Sequence, residues 1–293
     1  MTVSGSPSEP GVLARDRLMI LAAALLFSTG GAAIKACTLN AWQVASFRSG
    51  VAFLALALML PSARRGFNLR TLAVGAAYAT TMILFVLANK LTTAANTIFL
   101  QSTAPLYILL LGPWLLGEHI RRRDLIFTAA MAGGMSLLLL GQPPAAVTAP
   151  EPLRGNLVAL ASGVAWALTI LGLRWLGRDG SGDAESSVAA VVTGNVLALL
   201  FALPLALPVA ASRPADWLTI AFLGVFQIAL AYVFLTRGVR RVGALEASLL
   251  LLVEPVLNPV WAWLAHGEAP GPWALAGGAV ILGATTLKTW LER

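Results

Sequence analysis

The chain has 293 residues, of which 58% are hydrophobic and 11% charged, with a mean hydropathy of +0.81. A water-surfaced domain carries roughly 25% charged residues, so this composition excludes a soluble globular protein and implies a polytopic membrane chain. The formal charge of +7 then reports loop orientation, not a nucleic-acid surface. One cysteine, Cys37, and two histidines, His119 and His266, exclude a disulfide within the chain and leave too few ligands for a metal or cluster site, so no cofactor is expected.

A bilayer core of about 30 Å needs roughly 20 apolar residues per helix. Division of the chain at charge clusters and Pro/Gly breaks predicts ten such segments. Residues 1–17, polar and containing Pro7, Glu9 and Pro10, lack the apolar stretch of a secretory signal and read as a disordered cytoplasmic tail. Segment one, 18–35, carries the run Phe27-Ser28-Thr29-Gly30-Gly31 and ends on Lys35. Segment two, 41–60, holds Arg48 well inside it. That charge cannot be lost, so Arg48 must reach water, a carboxylate or backbone carbonyls, and a fixed structural tie is the expected role. Lys35 is likewise expected as a structural charge, snorkelling from a helix end together with Lys90. In segment three, 69–89, Tyr78, Met82, Phe85 and Asn89 fall on one stripe.

Segment four, 93–116, contains Pro105 and Pro113, and segment nine, 243–265, contains Pro255 and Pro259. A proline inside a membrane helix frees the carbonyl four residues back, here that of Gln101 or Leu251, and such breaks are tolerated beside protein or a water-filled cavity. All four prolines are therefore hinge or broken-helix candidates. Segment five, 124–141, and segment ten, 271–290, carry Ala129-xxx-Gly133 and Ala279-xxx-Gly283, patterns that permit close helix contact within or between monomers. Between the halves, 142–153 reads as a periplasmic linker. Segment six, 154–176, has Trp166 mid-way and Thr169 a turn on. Segment seven is 187–208, and segment eight, 214–236, has Gln227 mid-way, with Tyr232 further on.

Segment nine also holds Glu254, nearly central, with Asn258 and Trp261 on the same face. A carboxylate at that depth either couples protons, meets a substrate ammonium, pairs with Arg48 or caps the kinked backbone, and all four roles stay open at this point. The candidate substrate-binding set is Tyr78, Met82, Gln101, Trp166, Gln227, Tyr232, Glu254 and Asn258, an aromatic cavity with a few polar groups. Trp42, Trp217, Trp273 and Trp290 lie near segment ends, as interface anchors do.

With the tail inside, fifteen of the twenty Lys and Arg residues fall on the inner side, among them Arg64-Arg65, Arg121-Arg122-Arg123 and Arg240-Arg241. The outer side receives Lys35, Lys90, Arg154 and Arg213. This bias places both termini in the cytoplasm. Offset by 150 residues, the chain overlays Pro105 on Pro255, Gly117-Glu118 on Gly267-Glu268, and Ala129 and Gly133 on Ala279 and Gly283. Near an offset of 139, Phe27 and Lys35 meet Trp166 and Arg174. Two halves, 18–141 and 154–290, each of five helices, must then be inserted in opposite senses, the inverted repeat of secondary transporters.

At these residues the chain resembles the drug/metabolite transporter superfamily in its ten-helix branch with two EamA-type halves, and within it the YddG-type aromatic amino-acid exporters of the bacterial inner membrane. The matching pieces are Phe27 to Gly31 with Lys35, Arg48, Pro105 followed by Leu115-Leu116-Gly117-Glu118, and Glu254-Pro255 followed by Gly267-Glu268. The second copy departs from the leucine-rich form, reading His266-Gly267-Glu268-Ala269-Pro270. The resemblance implies a non-enzymatic exporter of amino acids, metabolites or drugs working by alternating access. Proton-coupled efflux of cationic or quaternary ammonium compounds is the alternative, with Glu254 exchanging the proton. A membrane-embedded enzyme would need clustered acid/base groups, and a non-transporting scaffold or receptor is the remaining class. The expected partners are a small-molecule solute and lipid, with no nucleic acid.

Overall fold

The computed structural model describes residues 10–60, 66–116, 122–141, 144–176, 183–238, 242 and 244–291. These residues form helices α1 (Pro10–Ser28), α2 (Gly30–Ala36), α3 (Ala41–Met59), α4 (Leu69–Leu91), α5 (Ala94–Gln101), α6 (Ala104–Leu116), α7 (Arg122–Leu140), α8 (Pro152–Leu176), α9 (Asp183–Ala206) and α10 (Pro214–Phe222). A π-helical segment, Leu223–Leu230, leads into α11 (Ala231–Gly238), followed by α12 (Ala244–Leu251), α13 (Val253–His266) and α14 (Pro272–Leu291). The described residues contain no strand, only an isolated bridge between Ala146 and Ala149.

Among the described residues, seven helical rods are long and apolar enough to cross a bilayer: Leu13–Ala36, Ala41–Met59, Leu69–Leu91, Ala94–Leu115, Pro152–Leu176, Ser186–Ala206 and Pro214–Gly238. Many outward side chains are large and apolar, including Leu54, Leu58, Trp114, Leu140 and Phe201, a surface that is stable facing hydrocarbon and not water. The expected tail is shorter than the sequence implied. Residues 10–17 already belong to α1, and Asp16 is buried. Arg64, Arg65, Gly117, Glu118, His119, Arg121, Arg178, Arg240, Arg241 and Arg293, on which part of the orientation and repeat arguments rest, lie outside the described residues.

Helix ends in lipid must satisfy their backbone groups internally, and the chain does so with short polar caps. Asn40 accepts from the amide of Gln43 (2.9 Å) while Gln43 accepts from that of Asn40 (3.0 Å), and Asn68 and Thr71 repeat the arrangement at α4. Three predicted single helices are broken. Between α1 and α2, the hydroxyls of Ser28 and Thr29 donate to the carbonyls of Leu25 and Leu26 (both 2.7 Å). Between α5 and α6, Ser102 and Thr103 do the same for Ile98 (2.7 Å) and Leu100 (2.6 Å). Between α12 and α13 the chain turns at Leu252. The second and third breaks fall just ahead of Pro105 and Pro255. Pro113 and Pro259 instead lie inside α6 and α13, which continue through them, so as broken-helix positions these two are corrected.

The two sequence halves do not form two lobes. α4 packs chiefly on α8 and α9, α5 and α6 on α8, α1 on α11 and α13, α2 on α13, and α3 on both α9 and the π segment. Each bundle therefore draws helices from both halves: α4, α5, α6, α8 and α9 on one side, and α1, α2 and α10 to α13 on the other, with α3 packed against both. α7 pairs with α14. In that pair Gly134 and Gly277 make the close approach, a Cβ on Gly277 falling 2.7 Å from the Gly134 carbonyl. Ala129, Gly133, Ala279 and Gly283 face outward, so the small-residue pattern does not mediate this contact.

Candidate functional site

Between the bundles lies a cavity of about 270 Å³. One bundle contributes Tyr78, Thr81, Met82 and Phe85 of α4, Gln101 and Pro105 at the α5–α6 break, and Trp166 and Ile170 of α8; the other contributes Phe27, Arg48, Gln227, Tyr232, Glu254 and Pro255. Thr285 of α14 completes the wall. Seven of the eight expected binding residues thus line one space. Asn258 does not. It is fully buried one turn beyond Glu254, against helix α2, where a Cβ on Gly31 would sit 2.5 Å from its Oδ1. Phe27, Thr81, Ser102, Ile170 and Thr285 line the cavity without having been candidates for it. Phe27 was legible only as part of the Ser-Thr-Gly-Gly run.

The aromatic wall is continuous. Tyr232 meets Phe27 edge-on with ring centroids 5.4 Å apart and Tyr78 at 5.9 Å. Several polar atoms around the cavity have no protein hydrogen-bond partner: Tyr78 Oη, Gln227 Oε1 and Arg48 Nε. Gln227 rides on the π segment, where an i→i+5 turn re-aims side chains relative to a regular helix, and it lies against Gly30. Gln101 donates to Ser162 (2.7 Å), which holds it across to α8.

Arg48 and Glu254 are not paired with each other. Arg48 donates to the Met82 carbonyl (3.0 Å) and makes a longer contact to Met82 Sδ (3.8 Å); among the described residues no carboxylate is ion-paired with it. Glu254 has neither an ion pair nor a hydrogen bond among the described residues. The pairing alternative and the backbone-cap alternative are therefore set aside by the geometry.

Outside the cavity lining, where α2 ends and beyond α13, two buried charges meet. Lys35 does not snorkel; its ammonium lies 3.0 Å from Glu268, with the two side chains only 3% and 5% exposed. Lys35 also donates to the carbonyls of Thr92 (2.8 Å) and Thr148, and Glu268 accepts from the Ala94 amide. Beside this tie, Lys90 donates to the Cys37 carbonyl, and buried Asp216 accepts from the amides of Thr38 (2.6 Å) and Arg213 (2.8 Å) and from the Thr38 hydroxyl. His266, at the end of α13, bonds the Ala32 carbonyl (2.8 Å), and Trp261 donates to Ser28 (2.9 Å). Cys37 is buried in the short connection after α2, and burial raises its thiol pKa above the ordinary value. Toward the opposite end, where Arg174 and Arg237 close α8 and α11, a second space of about 450 Å³ adjoins the first through Tyr232, Leu235 and Leu251. Its other walls are apolar, among them Leu56, Leu60, Leu173 and Val188.

A family model described as the EamA-like transporter family matches residues 17–140 and again 153–290. Relatives include an uncharacterized transporter of Archaeoglobus fulgidus, 27% identical over 72% of this chain and 73% of its own. The transporter YyaM of Bacillus subtilis is 24% identical over 69% and 67%. The aromatic amino acid exporter YddG of Ancylobacter novellus is 25% identical over 64% of each chain. The matched stretches span 60% to 73% of these and a further relative's own lengths. One solved crystal structure, 22% identical, has a TM-score of 0.60 and covers 96% of this chain and 98% of its own, a likeness of fold alone.

Proposed function

This chain belongs to the EamA-like transporter family, and we propose that it is a ten-span exporter of amino acids, aromatic and hydrophobic ones preferred, in the bacterial inner membrane. That it is a membrane transporter follows from the family; the substrate, direction and orientation are our reading. The observation that carries it is the cavity between the bundles, with its Phe27, Tyr78, Trp166 and Tyr232 walls and a few polar groups. Its volume, about 270 Å³, lies just below the roughly 300–1,000 Å³ of drug-sized ligand pockets, which suits one amino-acid-sized solute. The exporter YddG among the relatives supports the same substrate class.

With the basic ends in the cytoplasm, the arrangement is inward-facing. The Lys35–Glu268 tie shuts the periplasmic end, and the larger space at the basic end is the entry from the cytoplasm. Alternating access then tilts one mixed bundle against the other, opening the tie and closing the apolar vestibule. No nucleotide-binding loop is in the sequence, so flux follows the solute's own gradient or a coupled ion's. Proton-coupled efflux of cations is the second reading, favoured by the unpartnered Glu254 in the cavity wall.

Counterflow of labelled phenylalanine in proteoliposomes tests the first reading, with tryptophan, threonine and a quaternary ammonium dye as competitors. Strong competition by tryptophan and none by the dye is expected. Competition by the dye alone establishes cation efflux in its place. Absence of any flux removes the transport reading of this cavity.

A further inference from the structure

Among the described residues, three inter-helix cations meet carboxylates. Lys35 meets Glu268, Lys288 of α14 meets Asp124 of α7 (2.8 Å), and Arg17 of α1 meets Glu246 of α12. Arg48 is deeper than any of them, 1% exposed, yet among the described residues it has no acidic partner. One Nη contact to a backbone carbonyl and a weak contact to a thioether use little of a group with five N–H donors, and Nε has no acceptor at all. The neighbouring Tyr78 hydroxyl is also buried without a partner, and both side chains line the cavity. A structural tie is satisfied by its surroundings. This guanidinium is not.

Resting on the reading that solutes pass through this cavity, we propose that Arg48 binds the solute's carboxylate and so determines substrate class. The planar fork of a guanidinium matches the two oxygens of a carboxylate, and the Tyr78 hydroxyl stands ready as a further donor. A carboxylate there supplies the counter-charge that the protein itself withholds. Glu254 in the same wall disfavours a plain anion and favours a solute that also carries an ammonium, so the cavity selects zwitterions with an apolar or aromatic side chain over esters, amides and simple acids. Arg48 is thus a specificity-determining residue and not the fixed tie that its sequence position implied.

The test is competition for labelled phenylalanine counterflow by L-tryptophan, phenylalanine methyl ester and 3-phenylpropionate. It is run on the full chain in liposomes for wild type, Arg48→Lys, Arg48→Gln and Glu254→Gln, with radioligand binding in detergent as a readout independent of flux. Wild type is expected to prefer the zwitterion over the ester by about 30-fold or more, as a charged, hydrogen-bonding site does. Arg48→Gln should abolish that preference by weakening the zwitterion while leaving the ester within about threefold. Arg48→Lys, which keeps the charge and loses the fork, should fall between. Glu254→Gln should improve 3-phenylpropionate relative to the zwitterion. The proposal is overturned if Arg48→Gln, or the better-folded Arg48→Lys, weakens ester and zwitterion equally, since that is how a structural residue behaves. Wild type that binds and moves none of the panel overturns instead the transport reading beneath it.

Discussion

Removal of the Glu268 charge should open the end of the bundle that the Lys35–Glu268 tie is proposed to shut. Lys35 and Glu268 are both nearly water-free, and breaking a buried pair by deleting one partner costs about 3–5 kcal/mol, because the remaining charge stays desolvated. Glu268→Gln keeps the shape and can still accept from the Ala94 amide, so the lower figure applies. At 1.4 kcal/mol per decade, about 3 kcal/mol moves an equilibrium by roughly two orders of magnitude. If the tie exists only while this end is shut, that shift goes to the state with the end open. If it persists through the cycle, the whole loss appears as lower thermal stability.

Cys37, the chain's single cysteine, lies buried beside this network and reports on it directly. Maleimide labelling of Cys37 should be slow in wild type and at least tenfold faster in Glu268→Gln at matched temperature. Lys35→Met combined with Glu268→Leu removes both charges and should recover most of the thermal stability lost by either single change. Labelling within a factor of two of wild type, together with an unchanged melting temperature, would refute the claim that this pair holds the end closed.

Three further outcomes follow from single sites. Gly31→Ala places a methyl 2.5 Å from Asn258 Oδ1 and 3.0 Å from the Ala94 Cβ, and overpacking of that kind should cost about 1–3 kcal/mol, read as a lower melting temperature in detergent. Asp216→Ala strips the acceptor from two amides and one hydroxyl at a buried site; a loss of about 3–5 kcal/mol is expected in the same assay. Burial raises the Cys37 pKa, so the thiolate fraction lags that of a free thiol. Its labelling rate should therefore climb with pH through a midpoint above the ordinary value of about 8.5, and a midpoint below that value would contradict the burial.

The membrane class and the cavity wall were legible because hydropathy and helical spacing are local. Seven candidate residues, singled out by residue type and depth within their segments, converge on one space, and the breaks fall next to the two prolines that the repeat singled out. What was not legible depends on contacts between distant segments. Lys35 looked like a snorkelling helix end because nothing near it in sequence announces Glu268 as its partner. Nothing in the apolar run 223–230 announces a π segment. Asn258 shares a face with Glu254, yet the close approach of Gly31 takes it out of the cavity. The packing of helices from one half on those of the other was hidden for a similar reason. Repeats identify helices that correspond, and packing pairs them across the halves.

The four prolines separate into two kinds by position. Pro105 is the second residue of α6 and Pro255 the third of α13; in the first turn an amide has no intrahelical acceptor, so a proline there sacrifices nothing and only prevents fusion with the preceding helix. Pro113 and Pro259 are interior, and each removes a hydrogen bond from a continuous helix. Substitution of the interior prolines by Ala should therefore raise the melting temperature, by up to about 3 kcal/mol of added stability, with flux within a factor of two. Substitution of Pro105 or Pro255 by Ala allows the helix to run through residues that line the cavity, Gln101 and Ser102 in one bundle and Leu252 and Glu254 in the other. Counterflow should then fall at least tenfold with little change in melting temperature. If the interior pair controls flux and the first-turn pair controls only stability, the breaks are not the flexing points and the bundles must move about some other joint.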